Sequence, residues 1–206
     1  MTAVTTIGTP VQQRQLKVYL ELVRAANNKI NLVSRRDIDY LMEHHVAPSC
    51  LFIVLKRLAA QEYILDIGSG GGFPGIVCAI FQPDSNFVLV DSTRKKTDFL
   101  RTVVEQLGLK NIKVLWQRVE TMATEPRWQR KFDRTISRAV APLTDLVQWS
   151  QPLLKKTGTV EALKGKLVAT VEAKMLKQSV IFHTPPTDWQ WNDHLATVTI
   201  ATVLPK

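Results

Sequence analysis

The stretch ILDIGSGGGFPG, Ile64 to Gly75, crowds five glycines (Gly68, Gly70, Gly71, Gly72 and Gly75) into eight residues, straight after an apolar run. Helical spacing resumes from about Pro74, so the glycines mark the turn from a first β-strand into a helix. At such a turn glycines let a ligand come close to the backbone and aim amide N–H groups at it. A dinucleotide site wants G-x-G-x-x-G, with the pyrophosphate resting on the helix N-terminus. Gly68-Ser69-Gly70 opens that pattern, but its third position is Phe73, although a shifted frame from Gly70 to Gly75 formally fits.

Asp66 breaks the tie. It puts a carboxylate two residues before Gly68, where a dinucleotide site usually keeps an apolar residue. A carboxylate beside the loop suits a cationic ligand, and S-adenosylmethionine carries both an ammonium and a sulfonium. Asp91 ends the next apolar strand, 21 residues after Gly70, placed to accept hydrogen bonds from two ribose hydroxyls. A D-x-G-x-G loop with an acid at the second strand tip reads as S-adenosylmethionine binding. The competing reading is a glycine-rich turn with capping acids.

Outward from this loop, short apolar strands alternate with helical stretches. YILDI, NFVLVD, IKVLW, FDRTIS and TVEALK read as strands; a helix from about Pro74, KKTDFLRTVVEQLG, LTDLVQWSQPLL and VATVEAKML read as helices. The last two strands, SVIFH and HLATVTIATVL, are separated only by TPPTDWQWND, so a terminal antiparallel hairpin with no helix in it is expected. The fold class is therefore α/β: a doubly wound, mostly parallel seven-stranded sheet ending in a hairpin. Two helical segments precede it. PVQQRQLKVYLELVRAANN starts at a proline suited to a first turn, and DIDYLMEHHVAPSCLFIVLKRL takes Asp37 as N-cap and Pro48 as a break or kink. Residues 1–60 thus form a helical extension packed on a core domain of residues 61–206.

Composition adds limits. The chain has 206 residues, 45% hydrophobic and 22% charged, enough for one well-cored domain. No apolar run is long enough to span a membrane, and the N-terminus lacks a secretory pattern. Cys50 and Cys78 lack redox or metal spacing, which suits a reducing cytosol, so a cytoplasmic location is expected; a monomer is a separate expectation. Adjacent His44 and His45 point about 100° apart on a helix, a poor metal pair, and no metal is expected. The net charge is +9, and Arg94 to Arg138 alone holds 12 Lys and Arg against 5 Asp and Glu. Such uneven positive charge suits a polyanion, since neutralising phosphates releases condensed counterions; a basic surface kept only for solubility is the alternative.

NKINLVS (Asn28–Ser34), LDIGSGGGFPGI (Leu65–Ile76), LVDSTRKKTDFL (Leu89–Leu100), LGLKNIKV with RVE (Leu107–Glu120), FDRTISRAVAPL (Phe132–Leu143) and ALKG (Ala162–Gly165) follow one another in an order that resembles the RsmG family, also called glucose-inhibited division protein B. The resemblance covers roughly Asn27 to Gly165, and DSTRKK and SRAVAPL are its most specific parts. It implies a class I, Rossmann-like methyltransferase that uses S-adenosylmethionine to methylate guanine N7 in 16S ribosomal RNA of the small subunit. It further implies a cofactor site of Asp66, Gly68, Ser69, Gly70, Phe73, Asp91, Ser92, Arg118, Val119, Glu120 and Arg138. Arg138 is the implied catalytic residue, and Arg138, Lys164, Lys95 and Lys96 the implied RNA contacts. One stretch departs from the family's RHxxDSL: its basic position reads His44, its acid Pro48 and its leucine Cys50, while His45 and Ser49 are kept.

The residues also restrict the chemistry. Where amino-group methylases carry Asp/Asn-Pro-Pro-aromatic, this chain reads Ser137-Arg138-Ala139-Val140. Cytosine-C5 chemistry needs a cysteine nucleophile at the rim. Cys50 lies in the preceding helical region and Cys78 in the helix after the loop, so neither fits. A heterocycle with no exchangeable proton at its target atom is what this permits. Arg138 can present a planar donor fork to a guanine edge or a phosphate, or pair with a local acid. Lys164 can hold a phosphate or be a plain surface lysine. Trp116, Trp128 and Trp149 could stack on bases, with packing the stronger expectation for each. A small-molecule or protein methyltransferase, or an RNA-binding domain with a vestigial cofactor loop, remains an alternative at this level.

Overall fold

A computed structural model describes residues 7–189 and 193–205. Seven strands form one sheet: β1 (Tyr63–Ile67), β2 (Asn86–Asp91), β3 (Ile112–Trp116), β4 (Phe132–Arg138), β5 (Leu154–Gly165), β6 (Val180–His183) and β7 (Val198–Val203). Their order is β3-β2-β1-β4-β5-β7-β6, and only β7 runs against its neighbours. This is the expected doubly wound sheet with a terminal hairpin. β1 and β2 are apolar on both faces, as strands covered by helices on both sides must be. One face is covered by α1 (Pro10–Ile30), α2 (Ala47–Val54), α3 (Gly75–Phe81) and α4 (Arg94–Leu107). The other carries α5 (Val119–Thr124), α6 (Leu143–Ser150) and α7 (Lys166–Ala173).

α1 begins as its sequence dictates. Thr9 and Gln12 form a reciprocal capping box ahead of Pro10, and the helix ends at Asn31 in the left-handed region, φ 54°. Leu16, Tyr19, Leu20 and Val23 are buried in the core shared with β1 and α3. Asn27 fixes the exit, its Oδ1 accepting from the N–H groups of Leu32 and Val33, each at 2.9 Å.

The second helical segment differs from expectation. It is a 3₁₀ turn (Ile38–Tyr40), then a π-helical turn (Met42–Val46), then α2. Asp37 caps nothing; its carboxylate is taken by Ser34 Oγ, 2.7 Å, and His44 Nδ1, 2.9 Å. Pro48 sits in the first turn of α2, and the irregularity expected there is the change from the π-helical turn to α2 at Ala47. The hairpin connection is also not bare: it holds a 3₁₀ turn (Thr187–Trp189) and a one-turn helix, α8 (Asp193–Ala196). Gln190 to Asn192 of that expected loop lie outside the described residues.

One buried ionic network ties the extension to the sheet. Glu161 on β5 is wholly buried. It accepts from Arg57 Nη2 at 2.8 Å, Arg134 Nη1 at 2.6 Å and Thr202 Oγ1 at 2.6 Å. Arg134 also donates to Glu62, 2.6 Å. Removing the Glu161 charge would take its carboxylate from the partly buried Arg57 and leave Arg134 with Glu62 alone. Glu161→Gln is expected to lower unfolding free energy by about 3 kcal/mol, read by urea denaturation; a loss under about 1 kcal/mol would show that the network contributes little.

Candidate active site at the strand tips

β1, β2, β3, β4 and β5 all end on one side of the sheet, and strand order reverses between β1 and β4. Crevices at such switch points are where open α/β sheets bind ligands. The glycine turn after β1 lies there, with positive φ at Gly68 (65°), Gly70 (55°) and Gly72 (102°). Most of its glycines are required by the protein itself. A Cβ on Gly68 would lie 2.7 Å from Val140, on Gly71 3.1 Å from Leu32, and on Gly72 2.8 Å from the Tyr19 hydroxyl. A Cβ on Gly75 would run into the Asp66 carboxylate. Gly70 alone in the turn faces open space, its nearest neighbour being Gly68 O at 3.8 Å. Gly70 is therefore the position of the turn that the packing of the protein itself does not explain.

Two carboxylates frame that point. Asp66 is fully buried; Oδ2 accepts the Gly75 N–H at 3.1 Å, and Oδ1 is buried with no hydrogen-bond partner. Burial pushes its carboxyl up to about 7, with the nearby Asp91 charge adding to the rise. Asp91 accepts from the Gly70 N–H (2.9 Å) and the Thr93 N–H (2.7 Å), so it holds the glycine turn and the start of α4 together. Each of its oxygens keeps a second lone pair.

Beside Asp91 is a cavity of about 180 Å³ that brings together Gly68, Asp91, Ser92, Arg118, Val119 and Glu120. Gln117, Val140 and Trp149 complete its walls. Ser69 lies beneath it, buried, with its hydroxyl on Asp66 O at 3.0 Å. Phe73 lies outside this cavity, 4% exposed, against the rings of Tyr19 and His45.

Arg138 ends β4 on the other side of the turn. Nη1 donates to His44 O at 3.0 Å, Nη2 donates to His45 Nδ1, and Cζ stands 5.6 Å over the Phe73 ring. Its Nε is buried with no hydrogen-bond partner. Burial, reinforced by the Arg138 charge, pushes His45 down to about 3, so the imidazole is neutral. The next residue, Ala139, has φ 53°, a conformation that a non-glycine residue adopts at a cost and that clusters at functional sites. It carries the chain on to Val140, which sits over Gly68. A second cavity, about 260 Å³, is lined by Arg138, Pro48, Lys164, Gly165 and His194.

The remaining expected residues are dispersed. Lys164 is nearly buried, its Nζ donating to Ala141 O at 2.8 Å and paired with Glu172 at 3.0 Å. Lys95 is exposed on α4 beside a groove against α1, and Lys96 is half-buried. Trp128 is core, stacked on Phe132; Trp149 lines the smaller cavity. Trp116 is exposed, its Nε1 on Ser92 O at 3.0 Å and Arg94 over its ring. Cys50 and Cys78 are buried, and burial pushes both thiols up, so neither offers a thiolate. Among the described residues no three His, Cys, Asp or Glu side chains are grouped to hold a metal, and no helix is long and apolar enough to cross a membrane. Sequence reading missed Gln117, Val140 and the seat of Arg138. The one available signal for that seat was Pro48, a residue unable to donate to the carbonyl four positions earlier.

The family model described as rRNA small subunit methyltransferase G matches residues 12–186. A ribosomal RNA small subunit methyltransferase G from Chlorobium luteolum is 40% identical over 169 residues, 82% of this chain and 69% of that protein. One from Escherichia coli is 36% identical over 185 residues, 87% of this chain and 86% of that protein. Among solved structures, a SAM dependent methyltransferase from Aquifex aeolicus aligns with TM-score 0.57 and 15% identity over 77% of this chain and 94% of its own. A precorrin-6y C5,15-methyltransferase from Geobacter metallireducens aligns with TM-score 0.55 and 14% identity over 84% and 90%. At those identities the likeness is one of fold, and the fold is that of class I methyltransferases.

Because Asp91 anchors two backbone N–H groups, Asp91→Ala should cost stability as well as any ligand. The expected loss is about 1–3 kcal/mol, with Asp91→Asn recovering part of it, since an amide oxygen replaces only one acceptor. Chemical denaturation of both variants measures this; an unchanged midpoint in Asp91→Ala would show that the glycine turn holds itself.

Proposed function

The chain belongs to the rRNA small subunit methyltransferase G family, and we propose that it transfers a methyl group from S-adenosylmethionine to N7 of a guanine in 16S ribosomal RNA, in the bacterial cytoplasm. The observation that carries the cofactor is Asp66 Oδ1, a buried carboxylate oxygen without a partner, two residues before the Gly68 that lines the cavity beside Asp91. A buried carboxylate of this kind wants a cation, and the cofactor's ammonium and sulfonium supply one. The residues fit the group. Asp66 and Gly70 would hold its charged end; Asp91, Ser92, Arg118, Val119 and Glu120 would hold its adenosine. When bound, the cofactor supplies an electrophilic methyl group.

The chain's own contribution is alignment. Guanine N7 carries an in-plane lone pair and needs no proton removed, so catalysis can consist of placing the base. The side chains near Arg138 agree with that. His45 is neutral and uses Nδ1 on Arg138, and Lys164 is paired with Glu172. Arg138 has five N–H donors, of which His44 O and His45 Nδ1 take two. Nε is buried, so the second N–H of each Nη is what is left for substrate, and a guanine edge or a phosphate can accept them. RNA would be drawn by the basic stretch from Arg94 to Arg138, with Lys95 the most accessible of the expected lysines.

Methyl transfer to small-subunit RNA, with the modified nucleotide mapped, tests the reading; modification elsewhere than a guanine N7 would overturn it. Arg138→Ala should slow single-turnover transfer by roughly a hundredfold and leave cofactor affinity within a few fold. Arg138→Lys should not restore the rate, because a point charge cannot reproduce a fork. Full activity in either variant would remove Arg138 from the site.

A pH dependence follows from Asp66. In the folded protein its carboxyl keeps its proton up to about pH 7, whereas in an unfolded chain it ionises near ~4. A cation favours the ionised form. Cofactor affinity is therefore expected to be flat above pH 7 and to fall below it, approaching about tenfold per pH unit, with a proton released on binding. The free protein moves the other way, since this carboxyl adds stability as pH drops from about 7 toward ~4. Titration calorimetry at pH 6 and 8 in two buffers decides it, and equal affinities with no proton release would mean the cation is not on Asp66.

A further inference from the structure

Arg138 is presented by a seat that lies outside the sheet, in the turn preceding α2. In an α-helix the carbonyl of His44 would accept from the N–H of residue 48. Residue 48 is proline, which has no N–H and whose ring crowds that same carbonyl. The chain responds by opening into the π-helical turn Met42–Val46, with the Ala47 N–H reaching back to Met42 O. Single π-turns of this kind are frequent at functional sites. The His44 carbonyl, denied its α-helical donor, accepts from Arg138 Nη1 at 3.0 Å. The adjacent residue supplies the other acceptor, His45 Nδ1 for Nη2.

For Nδ1 to accept, His45 must be neutral with its proton on Nε2. Nε2 is buried with no hydrogen-bond partner; Asp37 Oδ2, 3.7 Å away, favours a proton there by its charge alone. Other titratable groups around the ring are His44, hydrogen-bonded to Asp37, and His194, whose ring is 4.7 Å from that of His44. The His45 ring packs on Phe73 at 5.0 Å, and Phe73 lies under the guanidinium. The fork is thus held at two nitrogens and one face, with Nε buried and one N–H on each Nη left over.

We propose that Pro48 and His45 are positioning residues for Arg138: Pro48 by withholding the N–H that would otherwise occupy the His44 carbonyl, and His45 by accepting at Nδ1. The inference rests on the role given to Arg138 above. Three substitutions separate it from a plain packing role. Asn at position 45 can place an acceptor where Nδ1 was, whereas Gln reaches toward the Nε2 position. Ala at position 48 returns an N–H that competes for His44 O, while being a better helix former.

The test uses the full chain and has two readouts. The first needs no activity: the rate at which p-hydroxyphenylglyoxal modifies Arg138, followed by mass spectrometry. His45→Gln and Pro48→Ala should raise it by about tenfold as the seat opens, and His45→Asn should stay within about threefold of the parent. The second is single-turnover methyl transfer to small-subunit RNA. His45→Gln and Pro48→Ala should lose about tenfold or more through misalignment, with the S-adenosylmethionine Kd unchanged, and His45→Asn should lose no more than about threefold. Thermal unfolding identifies any variant that fails to fold; should Pro48→Ala do so, the Asn and Gln pair carries the comparison. Equal modification rates in all variants would overturn the proposal, as would faster modification with unimpaired transfer. A parent protein that shows the expected modification pattern yet methylates no RNA would overturn the functional reading instead, leaving the seat intact.

Discussion

The hydrogen bond from the Gly70 N–H to Asp91 Oδ2, 2.9 Å, joins the turn after β1 to the tip of β2, and the site is assembled around it. Asp91 spends its other oxygen on the Thr93 N–H, so one carboxylate sets both the glycine turn and the first turn of α4. α1 holds the same turn from behind, its buried Tyr19 hydroxyl donating to Gly71 O at 2.7 Å. With the turn fixed from two sides, Gly70 is left half-buried with open space at its Cβ position, and Asp66 is left fully buried. The cost falls on Asp66, whose Oδ1 has no partner. A ligand cation would offset that cost, so the energetics of the empty fold and the preference for a charged cofactor come from one arrangement.

The parallel sheet was legible because both-face burial writes itself as apolar runs, and Asp66 and Asp91 stood out as acids closing such runs. The glycines were legible as a turn but not in their reasons. Ligand approach accounts for Gly70, whereas Val140, Leu32, Tyr19 and Asp66 account for its neighbours. Those contacts join positions as far apart as Tyr19 and Gly72, and nothing local announces them. Asp37 shows the opposite failure. Its spacing before an apolar segment suits an N-cap, but His44 and Ser34 compete for its carboxylate and win. Arg138 could be placed at its strand tip from order alone, yet its partners lie 93 and 94 positions earlier. Glu161 looked like any residue of an alternating strand, and only the converging Arg57 and Arg134 make its burial tolerable.

Charge in the chain divides into two uses. Around Glu161 and Lys164 opposite charges are paired inside the protein, so these groups contribute little to the outer field. From Arg94 onward many basic groups remain exposed, among them Arg94, Lys95 and Arg118. It is this second set that a phosphate backbone would sense, in a salt-dependent way. Lys164 therefore departs from its simplest reading: it borders the cavity beside Arg138 but its ammonium is committed to Ala141 O and Glu172. There it ties the loop after β4 to α7 and shapes the cavity wall.

His45, Cys78 and Tyr19, three side chains around Arg138 and the glycine turn that could remove a proton, are otherwise engaged, whereas Asp66 Oδ1 has no protein partner. His45 is neutral, held down to about 3, and its acceptor nitrogen is on Arg138. Cys78 is buried with its thiol raised, and Tyr19 is buried with its hydroxyl bonded and its proton held well above the usual range. A site whose histidine, cysteine and tyrosine are committed in this way offers none of these three to an exocyclic amine or a hydroxyl, which must lose a proton as it accepts a methyl group. It suits a ring nitrogen whose lone pair is already free. What remains for the protein to supply is the direction from which that lone pair meets the methyl group, and a guanidinium fixed at two nitrogens and backed by Phe73 is a rigid means of setting it.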